Sequence, residues 1–293
     1  MAAAATVIAT AATTAATQWQ PTGSLASGAM PAAAFPNTHL LRPVAPVAAH
    51  SATKNLPAAW SAPTVGSPLS ELRAAVLEED WERNYEEGLT KIHMQAKWSA
   101  SPDRCSVLQW LAKANGAHRA LEIGSFCGVG ALALAEALPA DGEVHVLELD
   151  PFVVQFGRRF QLKSLSGSKI KSSVGPALPL LESLACKAKM GHVKPFDLIV
   201  VDADKEGMQG YFDLLWSAPN LLSEDAVVCV DMTPFKGQPP TRYVKYGFPH
   251  RWQSSSGQAE IDALRTAVHE SPNLTVHEFG GLLIVQKKKT SSQ

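Results

Sequence analysis

Cysteine is scarce in this chain of 293 residues: four, at positions 105, 127, 186 and 229, with no paired spacing. That pattern draws neither a disulfide framework nor a zinc cluster, and it fits a reducing compartment. Cys127 reads as a small residue filling a tight turn. A basic excess is also missing, since the formal net charge is −1, and this argues against nucleic acid as a partner. No run approaches the roughly 20 apolar residues that a membrane span needs. The alanine-rich "AAAATVIATAATTAAT" is broken by threonines, so no membrane partner is expected. Acidic side chains are absent from residues 1–66, whose only basic ones are Arg42 and Lys54. Proline recurs there at 21, 31, 36, 43, 46, 57 and 63, and large apolar groups are too few to offset the entropy of ordering. A disordered leader is expected over 1–66. An acid-free, Ser/Thr/Ala-rich composition is that of organelle transit peptides, and the shortage of arginine speaks against the mitochondrion. The expectation is a plastid or another organelle, or the cytoplasm if the segment is only a tail.

What is present begins at Ser67. Residues 67–293 hold all 27 acidic groups and all but two of the 26 basic ones, a formal charge of −3. The stretch "SPLSELRAAVLEEDWERNYEEGL" sets Leu69, Leu72, Val76 and Leu77 at helical spacing, with acidic residues opposite. "SPDRCSVLQWLAKANG" is a second amphipathic piece, opened by Ser-Pro and closed at Gly116. From there strands and helices alternate: "HRALEIG", "EVHVLEL", "KIKSSVG", "PFDLIVVD" and "DAVVCVD" read as strands, with helical segments between them. Asp150 and Pro151 form a matched helix start. "NLTVHEF" and "GLLIVQK" are joined by Gly280–Gly281, a hairpin signal. The fold class expected is α/β: a doubly wound, mostly parallel seven-stranded sheet ending in an antiparallel hairpin.

In such sheets ligands bind outside the carboxyl ends of the strands, where the strand order reverses. The first strand ends at Ile123 and is followed by Gly124, Gly128 and Gly130 in "LEIGSFCGVG". A nicotinamide fingerprint reads G-x-G-x-x-G. This loop reads G-x-x-x-G-x-G, a wider bend that admits a nucleoside without a pyrophosphate, and it disfavours a dehydrogenase. Glu148 closes the second strand, where a carboxylate can accept both ribose hydroxyls. Asp202 and Asp231 close two further strands at the same sheet edge. Two carboxylates there repel unless a proton or a hard divalent cation lies between them.

"ALEIGSFCGVGALALAEALPADGEV", "VGPALPLLESL" and "FDLIVVDADK" together resemble the class I S-adenosylmethionine-dependent O-methyltransferases of the catechol and caffeoyl-CoA type. The likeness runs from about Ser101 to Lys287, and residues 119–160 are also similar to the O-methyltransferases of mycosporine biosynthesis. The resemblance implies a Rossmann-like methyltransferase domain over 67–293, and S-adenosylmethionine contacts at Glu122, Gly124, Phe126, Gly128, Gly130, Glu148, Ala177, Asp202 and Asp204. It implies Mg²⁺ or another divalent cation at Asp202 and Asp231, and Lys205 as catalytic lysine with Asp202 beside it. The third metal ligand of that family is an Asn, and Met232, a soft and weak donor, stands in its place. The expectations that follow are methyl transfer to the hydroxyl of a small phenolic, CoA-thioester or cyclic-enol acceptor, with metal assistance weakened or lost, and a homodimer of the kind common among relatives. The competing expectation is a cofactor-binding protein whose catalysis has been lost. Arg242, Lys245 and Arg251, in the segment 232–256, are candidates to greet an acidic acceptor.

Overall fold

A computed structural model describes residues 66–234 and 257–288. The leader up to residue 65, the segment "FKGQPP" and Arg242, Lys245 and Arg251 lie outside the described residues. Among the described residues, no helix is long and apolar enough to cross a membrane.

The sheet has seven strands in the order β3-β2-β1-β4-β5-β7-β6. They are β1 (Arg119–Ile123), β2 (Glu143–Glu148), β3 (Ile170–Val174), β4 (Phe196–Val201), β5 (Leu222–Asp231), β6 (Leu274–Phe279) and β7 (Leu282–Lys287). The first five run parallel. β7 inserts antiparallel beside β5, and β6 pairs antiparallel with β7. The chain leaves β1 in both directions, to β2 on one side and β4 on the other, which puts the switch point at the tip of β1. The expected doubly wound sheet with its closing hairpin is therefore present, and Gly280 and Gly281 supply the two positive φ angles (57° and 77°) that a tight hairpin turn of this hand requires.

Helices cover both faces. They are α1 (Pro68–Glu78), α2 (Trp81–Glu86), α3 (Pro102–Ala114), α4 (Val129–Ala137), α5 (Pro151–Gln161), α6 (Ala177–Lys189), α7 (Met208–Ser217) and α8 (Gln258–Glu270). Strand alternation splits the core. Leu121, Ile123, Ile199 and Val201 pack on Leu181, Met208, Ile261 and Leu264 from α6, α7 and α8. Ala120, Val144, Leu198 and Val200 face Leu108, Leu111, Ala131 and Leu134 from α3 and α4. The start signals at Ser101 and Asp150 are used as read, and Ser67 acts likewise: their side chains accept hydrogen bonds from the backbone N–H groups of Arg104, Phe152 and Ser70.

One expectation needs correcting. The amphipathic stretch from Ser67 is two helices, because Asp80 caps a new one by accepting from the N–H of Arg83 at 3.0 Å. The break turns Trp81 inward and leaves Leu77, expected on the buried stripe, exposed. Trp81 donates from Nε1 to the Val76 carbonyl at 2.9 Å, and its ring lies 4.8 Å from that of Phe126 and 5.4 Å from that of Phe156. The N-terminal helices are thereby anchored on the loop after β1. Trp81→Ala is expected to lower stability by about 3–5 kcal/mol, as for other large aromatic truncations in cores. Trp81→Phe, which loses the indole hydrogen bond but keeps a ring, is expected to cost about 1 kcal/mol. Urea denaturation of the three proteins checks the ordering.

Candidate functional site

The tips of the parallel strands form a row along the sheet edge: Ala177 opening α6 after β3, then Glu148 at the end of β2, Gly124 after β1, Asp202 after β4 and Asp231 at the end of β5. Gly124 has φ +79°, and a Cβ on it would collide with the Asp202 carbonyl oxygen. Glycine is required there for the backbones after β1 and β4 to touch. Gly128, also left-handed at φ +74°, precedes α4. A Cβ on Gly130 would strike the Glu122 carboxyl. Phe126 holds φ +52°, an uncommon value for a residue with a side chain. Its ring is fixed by Trp81 and Trp98.

Glu148 holds this loop in shape. Its Oε2 accepts from the N–H groups of Ser125 (2.9 Å) and Phe126 (2.8 Å), and Oε1 accepts from that of Asp150 (3.1 Å). Burial raises its pKa, and the three backbone donors oppose the rise. Glu122 is more extreme. It is buried, its pKa is driven well above the ordinary carboxyl range by burial and then by the charges of Asp202 and Glu148, and its Oε2 has no hydrogen-bond partner among the described residues. Cys127 is buried in the turn as expected, and burial raises its thiol pKa, so no reactive thiolate is indicated. Asp204 turns towards α7: Oδ2 accepts from the Gly207 N–H at 2.6 Å and Oδ1 from the Tyr211 hydroxyl at 2.6 Å.

At the other end of the row, burial and then the neighbouring Asp231 push the Asp202 pKa up to about 7. Asp231 goes the other way. Burial disfavours its charge, but Lys205 and Arg104 outweigh burial and hold its pKa below the usual range. Lys205 is buried, and its Nζ donates to the Asp231 carbonyl (2.7 Å) and to Oδ2 (3.0 Å). Arg104, from the first turn of α3, donates from Nη2 to Oδ1 at 2.7 Å, and the Thr233 hydroxyl donates to the same oxygen at 2.9 Å. Arg104 was not legible as a site residue, since it lies 127 positions from its partner in a segment with no motif.

A divalent cation needs several oxygen ligands with free lone pairs. Both Asp231 oxygens are already engaged by cations. The Met232 side chain packs in the core with Val230, Ile261 and Leu283, and its backbone N–H donates to Gly281 at 2.9 Å. Among the described residues, no group of three or more His, Cys, Asp or Glu side chains could hold a metal. The donor set that the described residues offer does not fit Mg²⁺.

With this geometry in view, a family model described as O-methyltransferase matches residues 77–240. Caffeoyl-CoA O-methyltransferase 1 of Zea mays is 31% identical over 154 residues, covering 47% of this chain and 59% of the relative, so the chain spans less than two thirds of that relative's length. Among solved structures, the O-methyltransferase TomG from Streptomyces achromogenes, in complex with SAM, has a TM-score of 0.56 at 21% identity, covering 75% of this chain and 90% of the other. The SAH-bound methyltransferase PaMTH1 of Podospora anserina has a TM-score of 0.53 at 26% identity, covering 73% and 88%.

The buried Glu122 carboxyl gives a pH test. Folded, it holds its proton more tightly than unfolded, so above the ordinary carboxyl pKa the folded chain carries the extra proton. Its contribution to stability is full below that value and is lost as pH rises through the folded pKa. Thermal denaturation without ligand is expected to show Tm falling as pH rises above about 5, with a shallower fall in Glu122→Gln.

Proposed function

The chain belongs to the O-methyltransferase family, and on that premise we propose that it transfers a methyl group from S-adenosylmethionine to a hydroxyl of a small acceptor. The observation that carries this reading is the set of carboxyl groups at the strand tips, the buried Glu122 and Glu148 and the partly buried Asp202, with the Glu122 Oε2 left without a partner among the described residues. Carboxyls crowded out of water favour a cationic ligand. S-adenosylmethionine brings a sulfonium and an ammonium to such a site, and its ribose brings two hydroxyls to the Glu148 end. Gly124, Gly128 and Gly130 shape the bend that would admit the nucleoside, and Phe126 and Ala177 flank it. The SAM-bound and SAH-bound neighbours of the same fold support the choice of donor.

In the reaction an acceptor oxygen forms a bond to the methyl carbon while the carbon–sulfur bond breaks and its electron pair returns to sulfur. The hydroxyl proton leaves to a base, and Asp202, at the junction between the donor and acceptor ends, is the candidate to receive it. The domain's main contribution is alignment of oxygen, carbon and sulfur, which can lower a barrier by roughly 7–11 kcal/mol. Phenolic acceptors and CoA thioesters fit the caffeoyl-CoA relative, and cyclic enols the mycosporine likeness. The acceptor oxygen is met by side chains of the chain itself, since the described residues do not offer a donor set that suits a metal.

A second reading, donor binding without turnover, draws on Met232, which removes an oxygen ligand. Turnover with a panel of phenols and cyclic enols, with and without Mg²⁺, separates the two. The acid-free composition of residues 1–66 supports a role for them as an organelle-targeting leader ahead of the 67–293 domain.

Glu148→Gln removes the charge at the ribose end and keeps the size. Its affinity for S-adenosylmethionine is expected to fall roughly 10- to 100-fold by calorimetry, the worth of one or two hydrogen bonds to a charged group. Unchanged affinity would remove the ribose assignment.

A further inference from the structure

Among the other sheet-edge carboxyl groups, the cost of burial is eased by holding a proton or by accepting backbone N–H groups. Asp231 is treated differently. It is clamped from two sides by side chains that arrive from separate parts of the chain, Arg104 from α3 and Lys205 from the loop after β4. Lys205 is itself sealed: it is 4% exposed, and a Cβ on Gly257, which precedes α8, would press on its Cβ and Cγ. The ammonium therefore has little freedom to swing away from Asp231. Arg104 has a further feature. Its Nη2 is spent on Asp231, and its Nη1 is buried with no acceptor among the described residues. A buried guanidinium nitrogen without a partner is costly, and it can be satisfied by an oxygen brought by a ligand.

Two fixed positive charges and a waiting donor thus lie beside Asp202 and Asp231, where a divalent cation would otherwise sit. Fixed cations can neutralise a carboxylate pair and receive developing negative charge on an oxygen, which is what a metal supplies in such a site. A cation entering there would have to displace the guanidinium and the ammonium from Asp231 and would be repelled by both. Met232, turned into the core, offers it no oxygen in return. We infer that Arg104, held on Asp231 beside Lys205, takes the place of a divalent cation at the acceptor end of the site, so that this protein works without one and presents the Arg104 Nη1 to the acceptor oxygen. The acceptor part of this inference rests on the methyl-transfer reading; the cation part does not.

The test is Mn²⁺ binding to the full chain, followed by electron paramagnetic resonance, with S-adenosylmethionine binding measured by calorimetry on the same preparation in EDTA. Wild-type protein is expected to bind Mn²⁺ with a Kd on the order of 1 mM or weaker, the range of poorly liganded oxygen sites. Arg104→Ala, which frees an Asp231 oxygen and removes a repelling charge, is expected to bind Mn²⁺ at least about tenfold more tightly, and Arg104→Lys to behave as wild type. Circular dichroism reports whether each variant folds, and Arg104→Gln substitutes if the alanine variant does not. Tight Mn²⁺ binding by wild type overturns the inference, and so does a folded, charge-neutral variant that binds no better than wild type. Failure of S-adenosylmethionine to bind in EDTA would strike the proposed function and leave the Mn²⁺ result standing.

Discussion

Carboxyl groups that share one water-poor sheet edge must not all be charged at once, and the rest of the site follows from how that conflict is resolved. Glu122, Glu148, Asp202 and Asp231 lie on adjacent strands whose register is fixed by parallel pairing, so none can move away from its neighbours. Each finds a different remedy. Glu148 recruits backbone N–H groups from the loop after β1. Glu122 has a pKa driven well above the carboxyl range and holds its proton, while Asp202, raised to about 7, exchanges one near neutral pH. Asp231 stays ionised by taking two cationic side chains.

The remedies shape the backbone as well as the charges. Because the amides of Ser125 and Phe126 point at Glu148, the backbone after β1 must turn, and Gly124 and Gly128 supply the positive φ angles that let it. That turn throws the Phe126 ring outward from the sheet edge, where Trp81 covers it. The N-terminal helices are thus tied to the same feature that shapes the loop. Asp150 adds a second tie: besides capping α5 it accepts from the backbone N–H of Lys91 at 2.6 Å, holding the segment after α2 against the β2 end of the site. The helices before β1 are thus positioned by the same strand-tip groups that shape the loop.

Much of this was legible in the sequence, and the boundary has a physical cause. Strand periodicity, Ser-Pro and Asp-Pro helix starts and the Gly-Gly hairpin are local signals, and local hydrogen bonds execute them. The glycines were legible because only a residue without a Cβ permits so close a backbone approach, and the position of Glu148 because an acid closing the second strand falls beside that bend. The break at Asp80 was missed because the acidic run concealed a capping residue, and the inward turn of Trp81 depends on Phe126 and Phe156, which are distant in sequence. Arg104 was missed for the same reason. Nothing in "SPDRCSV" marks its guanidinium for Asp231, since that pairing exists only once α3 packs across β1, β4 and β5. Met232 was legible as a departure from the family's Asn, but its destination in the core was not.

Met232 and Arg104 bear on the same charge when it is followed through the site. Removing an oxygen ligand beside Asp231 weakens any cation held there, and without compensation Asp202 and Asp231 would be left facing each other in a poorly solvated edge. A guanidinium suits that place better than a second ammonium would: it is always charged, loses less on leaving water, and offers donors in a fixed plane. Arg104 can hold the Asp231 Oδ1 with one nitrogen and keep another in reserve, which a point charge cannot. The methionine is then free to contribute apolar contact to the core beside Val230 and Leu283 instead of serving the site. The Asp231 charge is balanced by two covalently attached cations, which stand there whatever the metal content of the surroundings.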